Sequence, residues 1–121
     1  MARLEVITLE GIPEVGADDD LVDIILSAME AGGLVFKDGD VIAVAQKIIS
    51  KAENRFVDLK AVEPSRDALR YAGESGKDAR LVEVMLRESR AVLRVRTGVI
   101  VVEDKRGLVL ANAGIDSSNV P

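Results

Sequence analysis

AVLRVRTGVIVVEDKRGLVLAN, residues 91–112, decides the fold. Three short apolar runs, AVLRVR, VIVVE and LVLAN, are separated by Thr97-Gly98 and by Asp104-Lys105-Arg106-Gly107, both turn signals. In the first run Leu93 and Val95 alternate with Arg94 and Arg96, as in a strand with one face on a core. Connections this short leave no room for crossover helices, so the strands are expected to form an antiparallel meander.

Working back from residue 91, the pattern turns helical. Asp78 can cap a helix in which Leu81, Val82, Met85 and Leu86 share a face. Before it, Pro64-Ser65 opens another helix that ends near Gly76. Further upstream, RLEVITLE (3–10), VIAVA (41–45) and FVDL (56–59) read as strands, the second buried on both faces. Between them, Leu21, Ile24, Ile25, Ala28 and Met29 fall at helical spacing after Asp18-Asp19-Asp20, any of which can cap. Gly32-Gly33 supplies the stop, and KDGD (37–40) is a turn. The class is α+β, with a mixed or antiparallel sheet and a few helices. The 121 residues are one domain's worth of chain.

Composition limits the chemistry. Hydrophobic residues make up 48% but aromatics only 2%, so the core is built from Val, Ile, Leu and Ala. Without cysteine there is no disulfide, thiolate nucleophile or Cys-held metal; without histidine, Ser-His-Asp catalysis and His-ligated zinc are excluded. Carboxylates, lysines, arginines, hydroxyls, backbone amides and an oxygen-loving cation remain. The net charge of −5 argues against a nucleic-acid binder. No apolar run is long enough to span a bilayer, and no signal-peptide pattern opens the chain, so a cytoplasmic setting is expected. Charge is uneven: residues 1–40 carry ten acids against Arg3 and Lys37, a net of −8. Residues 87–106 carry six bases against three acids, a net of +3. Such asymmetry suits an anionic small molecule or an ordinary solvated face.

Three strand exits concentrate polar groups: GIPE (11–14), QKIISKAENR (46–55) and AGIDSSN (113–119). Gly11 lets backbone amides approach phosphate oxygens. Lys47 and Lys51 are four apart, on one face if the segment is helical, and each is a point charge suited to phosphate. Asp116 is a hard ligand of the kind Mg²⁺ or Mn²⁺ takes beside phosphates. Asn119 offers both a donor and an acceptor. Singly, each segment also reads as a plain turn or a solvated helix face, and neither common nucleotide-binding glycine fingerprint is present.

The order of these motifs is more specific. GIPEV, DGDVIAVAQKIISKAENR, VEPS, GKDARLVEVMLRESR and ANAGIDSSNV together resemble the N-terminal half of coenzyme F-420-0:L-glutamate ligases, across essentially the whole chain. ISKAE (49–53), LRESR (86–90) and NAGID-x-SN (112–119) carry most of the resemblance. It implies γ-linked addition of L-glutamate to a phospholactyl deazaflavin, with GTP and Mg²⁺ or Mn²⁺, through an acyl phosphate. It also implies a homodimer, and a GTP site drawing on Gly11, Ile12, Pro13, Glu14, Gln46, Lys47, Lys51 and Asn119. Asp116 matches a metal ligand; no catalytic side chain is implied. Ala45 stands where a hydroxyl residue is frequent, Asn54 where glycine is usual, and positions 46–47 vary. Family members run well beyond residue 121, so the chain is expected to be the N-terminal portion of a longer enzyme. Alternatives are a ligase of the same fold with another acceptor, or a non-catalytic nucleotide-binding or dimerisation module.

Overall fold

The computed structural model describes residues 1–118 and resolves two compact units, Met1–Phe56 and a second beginning at Val57. The first contains two helices, α1 (Leu21–Ala31) and α2 (Gln46–Ala52). The three aspartates ahead of α1 divide their work. Asp20 is the cap, its Oδ1 accepting from the backbone N–H groups of Val22 (2.9 Å) and Asp23 (3.1 Å). Asp19 accepts instead from the Gly16 N–H at 2.7 Å, and Asp18 sits at φ +63°. At the other end Gly33 takes φ +65°, which lets its N–H reach the Glu30 carbonyl while Leu34 N–H reaches Met29. This paired closure satisfies two carbonyls that the helix itself leaves open. Ala28 and Met29 are buried, and Leu21, Ile24 and Ile25 are half-buried, as the spacing predicts.

The strands expected at 3–10 and 41–45 do not form. Neither stretch is assigned to a ladder, and their apolar side chains face outward, Leu4 and Val41 each at 89% exposure. Alternation and β-branching establish only that a stretch would suit a pleated surface. A strand exists when a neighbour takes its backbone hydrogen bonds, and no described segment does so here. FVDL fails for a local reason: Asp58 accepts from the Lys60 N–H at 2.9 Å and turns Leu59–Ala61 into a single 3₁₀ turn.

The second unit follows the sequence closely. Helices α3 (Arg66–Ser75) and α4 (Ala79–Glu88) precede strands β1 (Ser89–Arg96), β2 (Val99–Asp104) and β3 (Val109–Ala111), paired antiparallel in that order. Ser65 caps α3, Asp78 caps α4, and Gly76 closes α3 at φ +72°. The core is Ala68 of α3, Val82 and Met85 of α4, and Ile100 and Val102 of β2. Facing β2, the side chains that reach this core are Val92 and Val95, whereas Leu93 is half exposed. Of the expected Leu93–Val95 face, Val95 does reach the core and Leu93 does not. Val92 pairs with Val102 and Arg94 with Val101, so Leu93 is an extra residue whose bulge shifts the alternation by one.

Carboxylates hold the connections. Burial pushes the Asp104 carboxyl up, but hydrogen bonds from Leu108 N–H and the Arg106 side chain and N–H outweigh it, leaving its pKa lowered. Glu83 is also lowered, by hydrogen bonds from Ser65 and then by Arg87. Asp78, bonded to Arg80, falls to about 2. A carboxyl with a lower pKa folded than unfolded contributes stability above its unfolded value, near about 4, and loses it as pH drops through the folded value. We expect thermal stability to be level from about pH 7 to 5 and to fall steeply between about pH 4 and 2. Circular-dichroism melts across that range would contradict this if the midpoint stayed constant to about pH 2.5.

Candidate functional site

In the first unit, the residues expected to meet a nucleotide lie on one loop and one short helix. Gly11 adopts φ +75° with open space where a side chain would be, so the chain can turn there and expose its amides. Ile12 is half-buried and Val15 buried, which anchors the loop and leaves Pro13 and Glu14 at the surface. Gln46, Lys47 and Lys51 belong to α2, and the four-residue spacing puts both lysines on one helix face. Asn54, at φ +52°, lies just past this helix, and the Asp18 N–H donates to the Ala52 carbonyl at 3.0 Å.

Glu14 and Lys51 come together: Lys51 Nζ stands 3.7 Å from Glu14 Oε1. The partners differ sharply in exposure, 16% for the lysine side chain and 90% for the glutamate. Most of the lysine stem is therefore packed, and the ammonium is held at the GIPE loop by a carboxylate that water can reach. Only the carboxylate side of the pair is open to solvent and screened by it.

Ala45 is the N-cap of α2 and, having no side-chain oxygen, makes no cap hydrogen bond. A hydroxyl residue at this position could supply the missing cap hydrogen bond. An open apolar depression beside α1, lined by Leu26, Met29, Leu34, Val35 and Phe36, contains none of the expected site residues.

Asp116 belongs to the second unit, following β3 and a turn at Asn112–Gly114. Its Oδ1 accepts from the Ser118 N–H at 2.8 Å and from Ser118 Oγ at 2.6 Å. Carboxylate and hydroxyl oxygens suit a hard cation in kind. In number they are a partial set, since no group of three or more His, Cys, Asp or Glu able to hold a metal occurs among the described residues. Asn119 lies outside the described residues. Two side chains have roles that the sequence reading did not assign. Asp104 organises the β2–β3 turn, and Asn112 accepts the Ile100 N–H at 3.0 Å. An aspartate opening a turn and an asparagine two before glycine were the available signals.

Lys51 and Glu14 thus meet in the first unit, and Asp116 follows β3 in the second, in an α+β chain. Comparison narrows the class. The family described as F420-0:Gamma-glutamyl ligase matches residues 11–121, and the chain belongs to that family. It is 47% identical to the coenzyme F420:L-glutamate ligase of Methanothermobacter thermautotrophicus, over 97% of this chain and 46% of that protein. Identity to the Methanopyrus kandleri protein of the same name is 40%, over 100% of this chain and 47% of the other. For the Archaeoglobus fulgidus protein it is 42%, over 98% and 45%. The chain thus spans about half the length of the curated relatives it matches. Among the described residues, no helix is long and apolar enough to cross a membrane.

The vacant cap gives a direct test. Ala45 already has the extended backbone of a capping residue, φ −65° and ψ 135°. Ala45→Ser should add a hydrogen bond to the first turn of α2 and raise stability by about 0.5–2 kcal/mol in urea titration. An unchanged midpoint would mean that α2 does not start there.

Proposed function

We propose that residues 1–121 are the N-terminal part of a GTP-dependent ligase that joins L-glutamate by a γ-linkage to the phospholactyl deazaflavin coenzyme F420-0. The observation that carries the reading is the match along nearly the whole chain to proteins named coenzyme F420:L-glutamate ligase. In the proposed reaction a carboxylate oxygen of the acceptor attacks the γ-phosphorus of GTP. The bond from that phosphorus to the β–γ bridging oxygen breaks, and GDP leaves. The resulting acyl phosphate is attacked at its carbonyl carbon by the glutamate amine. Phosphate departs, an amide forms, and the amine proton passes to water.

Each step concentrates or disperses negative charge, and none needs a thiolate or imidazole. Backbone amides of Gly11, Ile12 and Glu14 would donate to phosphate oxygens, with Pro13, which has no N–H, shaping the loop. Lys51 supplies a point charge for the phosphates, released from Glu14 when they bind, with Lys47 and Gln46 on the same helix as further nucleotide contacts. Asn119, outside the described residues, is a GTP contact only as the family resemblance implies. Asp116 would be one ligand of Mg²⁺ or Mn²⁺, which supplies charge neutralisation at the transferring phosphoryl group. The reading includes a cytoplasmic homodimer.

The activity test is to incubate the full-length protein with GTP, Mn²⁺, L-glutamate and F420-0 and to follow product mass. A product heavier by one glutamyl residue, formed only with GTP, is expected; none under these conditions would overturn the reading. Lys51→Ala removes a charge-assisted contact and should weaken GTP by about 1.5–3 kcal/mol in calorimetry. Unchanged GTP affinity would leave Lys51 as a partner of Glu14 and nothing more. Asp116→Asn retains shape without charge, and metal-dependent turnover should disappear while the melting curve is preserved. Wild-type turnover and metal dependence in that variant would make Asp116 a turn residue.

A further inference from the structure

The turn between β3 and Asp116 has an unusual backbone. Asn112, Ala113 and Gly114 all take positive φ, at +53°, +54° and +68°, with Ala113 at ψ +24°. L-residues enter this region singly, as a rule, and alanine has no side-chain hydrogen bond to offset the crowding of its Cβ. Three in succession make a short left-handed turn that persists only because its surroundings overdetermine it.

Those surroundings are identifiable. Asn112 Oδ1 accepts the N–H of Ile100 at 3.0 Å, and Ile100 is completely buried in β2. β3 ends at Ala111, so the asparagine side chain takes over where the ladder stops. The Asn112 carbonyl accepts from the Ile115 N–H at 3.0 Å, closing the turn. Ala113 and Ile115 pack against the cluster of Ala68, Val82, Met85, Ile100 and Val102. The chain is thereby clamped on both sides of Gly114 and delivers Asp116 one residue later, where its Oδ1 is fixed by Ser118.

We infer that Asn112 is a positioning residue: by bonding to Ile100 it holds the left-handed turn that aims the Asp116 carboxylate. The inference rests on the proposed role of Asp116 as a divalent-cation ligand. A side chain whose only task was to satisfy the buried Ile100 N–H would contribute to stability and leave cation affinity untouched. The amide suits the position, since it offers an acceptor and tolerates positive φ.

The test uses the full-length protein with saturating GTP and Mn²⁺ as the probe, read by calorimetry and by the electron paramagnetic resonance of free Mn²⁺. Folding of each variant is verified by circular dichroism. Asn112→Gly keeps the backbone freedom and deletes the acceptor; Mn²⁺ affinity should fall by about tenfold to a hundredfold, as for residues that orient metal ligands. Asn112→Asp keeps both the acceptor and the φ tolerance, and its added charge can only favour a cation, so affinity should equal or exceed wild type. Folded Asn112→Gly with wild-type affinity overturns the inference. If that variant does not fold, folded Asn112→Asp with weakened Mn²⁺ binding overturns it, and retained binding supports it. Asp116→Asn separates the two ideas. Unchanged Mn²⁺ affinity there removes Asp116 as a ligand, whereas loss there with none in Asn112→Gly removes only the positioning role.

Discussion

The central strand β2 places Ile100 and Val102 against Val82 and Met85 of α4 and Ala68 of α3, and the order in residues 57–118 depends on that burial. All five are essentially removed from water. Burying a large aliphatic side chain is worth about 1.5–3 kcal/mol, so this small set outweighs the surface ion pairs around it. It also explains why β1 bulges. Val92 and Val95 must both reach β2's inner face, three residues apart, and one extra residue between them makes that compatible with a pleated strand.

Around this core, polar groups are used locally. Ser65, Asp78 and Asp104 each satisfy backbone N–H groups at a helix start or turn, and Asn112 does so where a strand ends. A buried N–H without an acceptor costs about 1–3 kcal/mol, comparable to one well-buried aliphatic side chain. The left-handed turn at 112–114 can therefore persist: the Ile100 hydrogen bond and the packing of Ala113 and Ile115 together offset its strain. One of the three motifs that carry the family resemblance, NAGID-x-SN, begins on this positive-φ turn.

The functional proposal has the same economy. The proposed ligation through an acyl phosphate is a reaction whose difficulty is electrostatic, and this chain's residues can contribute to it without histidine or cysteine. Lys51 illustrates the provision. Its stem is packed, its ammonium is held at the GIPE loop, and its present partner is a solvated carboxylate rather than a buried one.

Much of the second unit was legible in the residues because its determinants are local. Asp78 and Ser65 as caps, Gly76 as a stop and the two turns of the meander each depend on neighbours within four positions. The stripe from Leu21 to Met29 was legible for the same reason. What the sequence by itself determined was thus helices α1, α3 and α4, the turns of the meander, the α+β class and the chemistry left open by the missing residue types, whereas α2 was only a conditional reading. Tertiary structure decided which apolar runs became strands, since pairing is a property of two segments, and 3–10 and 41–45 are apolar without a described partner. It also decided that Val92 rather than Leu93 faces the core, because a bulge is set by what lies across the ladder. The left-handed turn at Asn112 was settled in the same way. Its conformation is unfavourable for the local sequence, and only the buried Ile100 N–H and the packing of Ala113 and Ile115 against the helices make it the stable one.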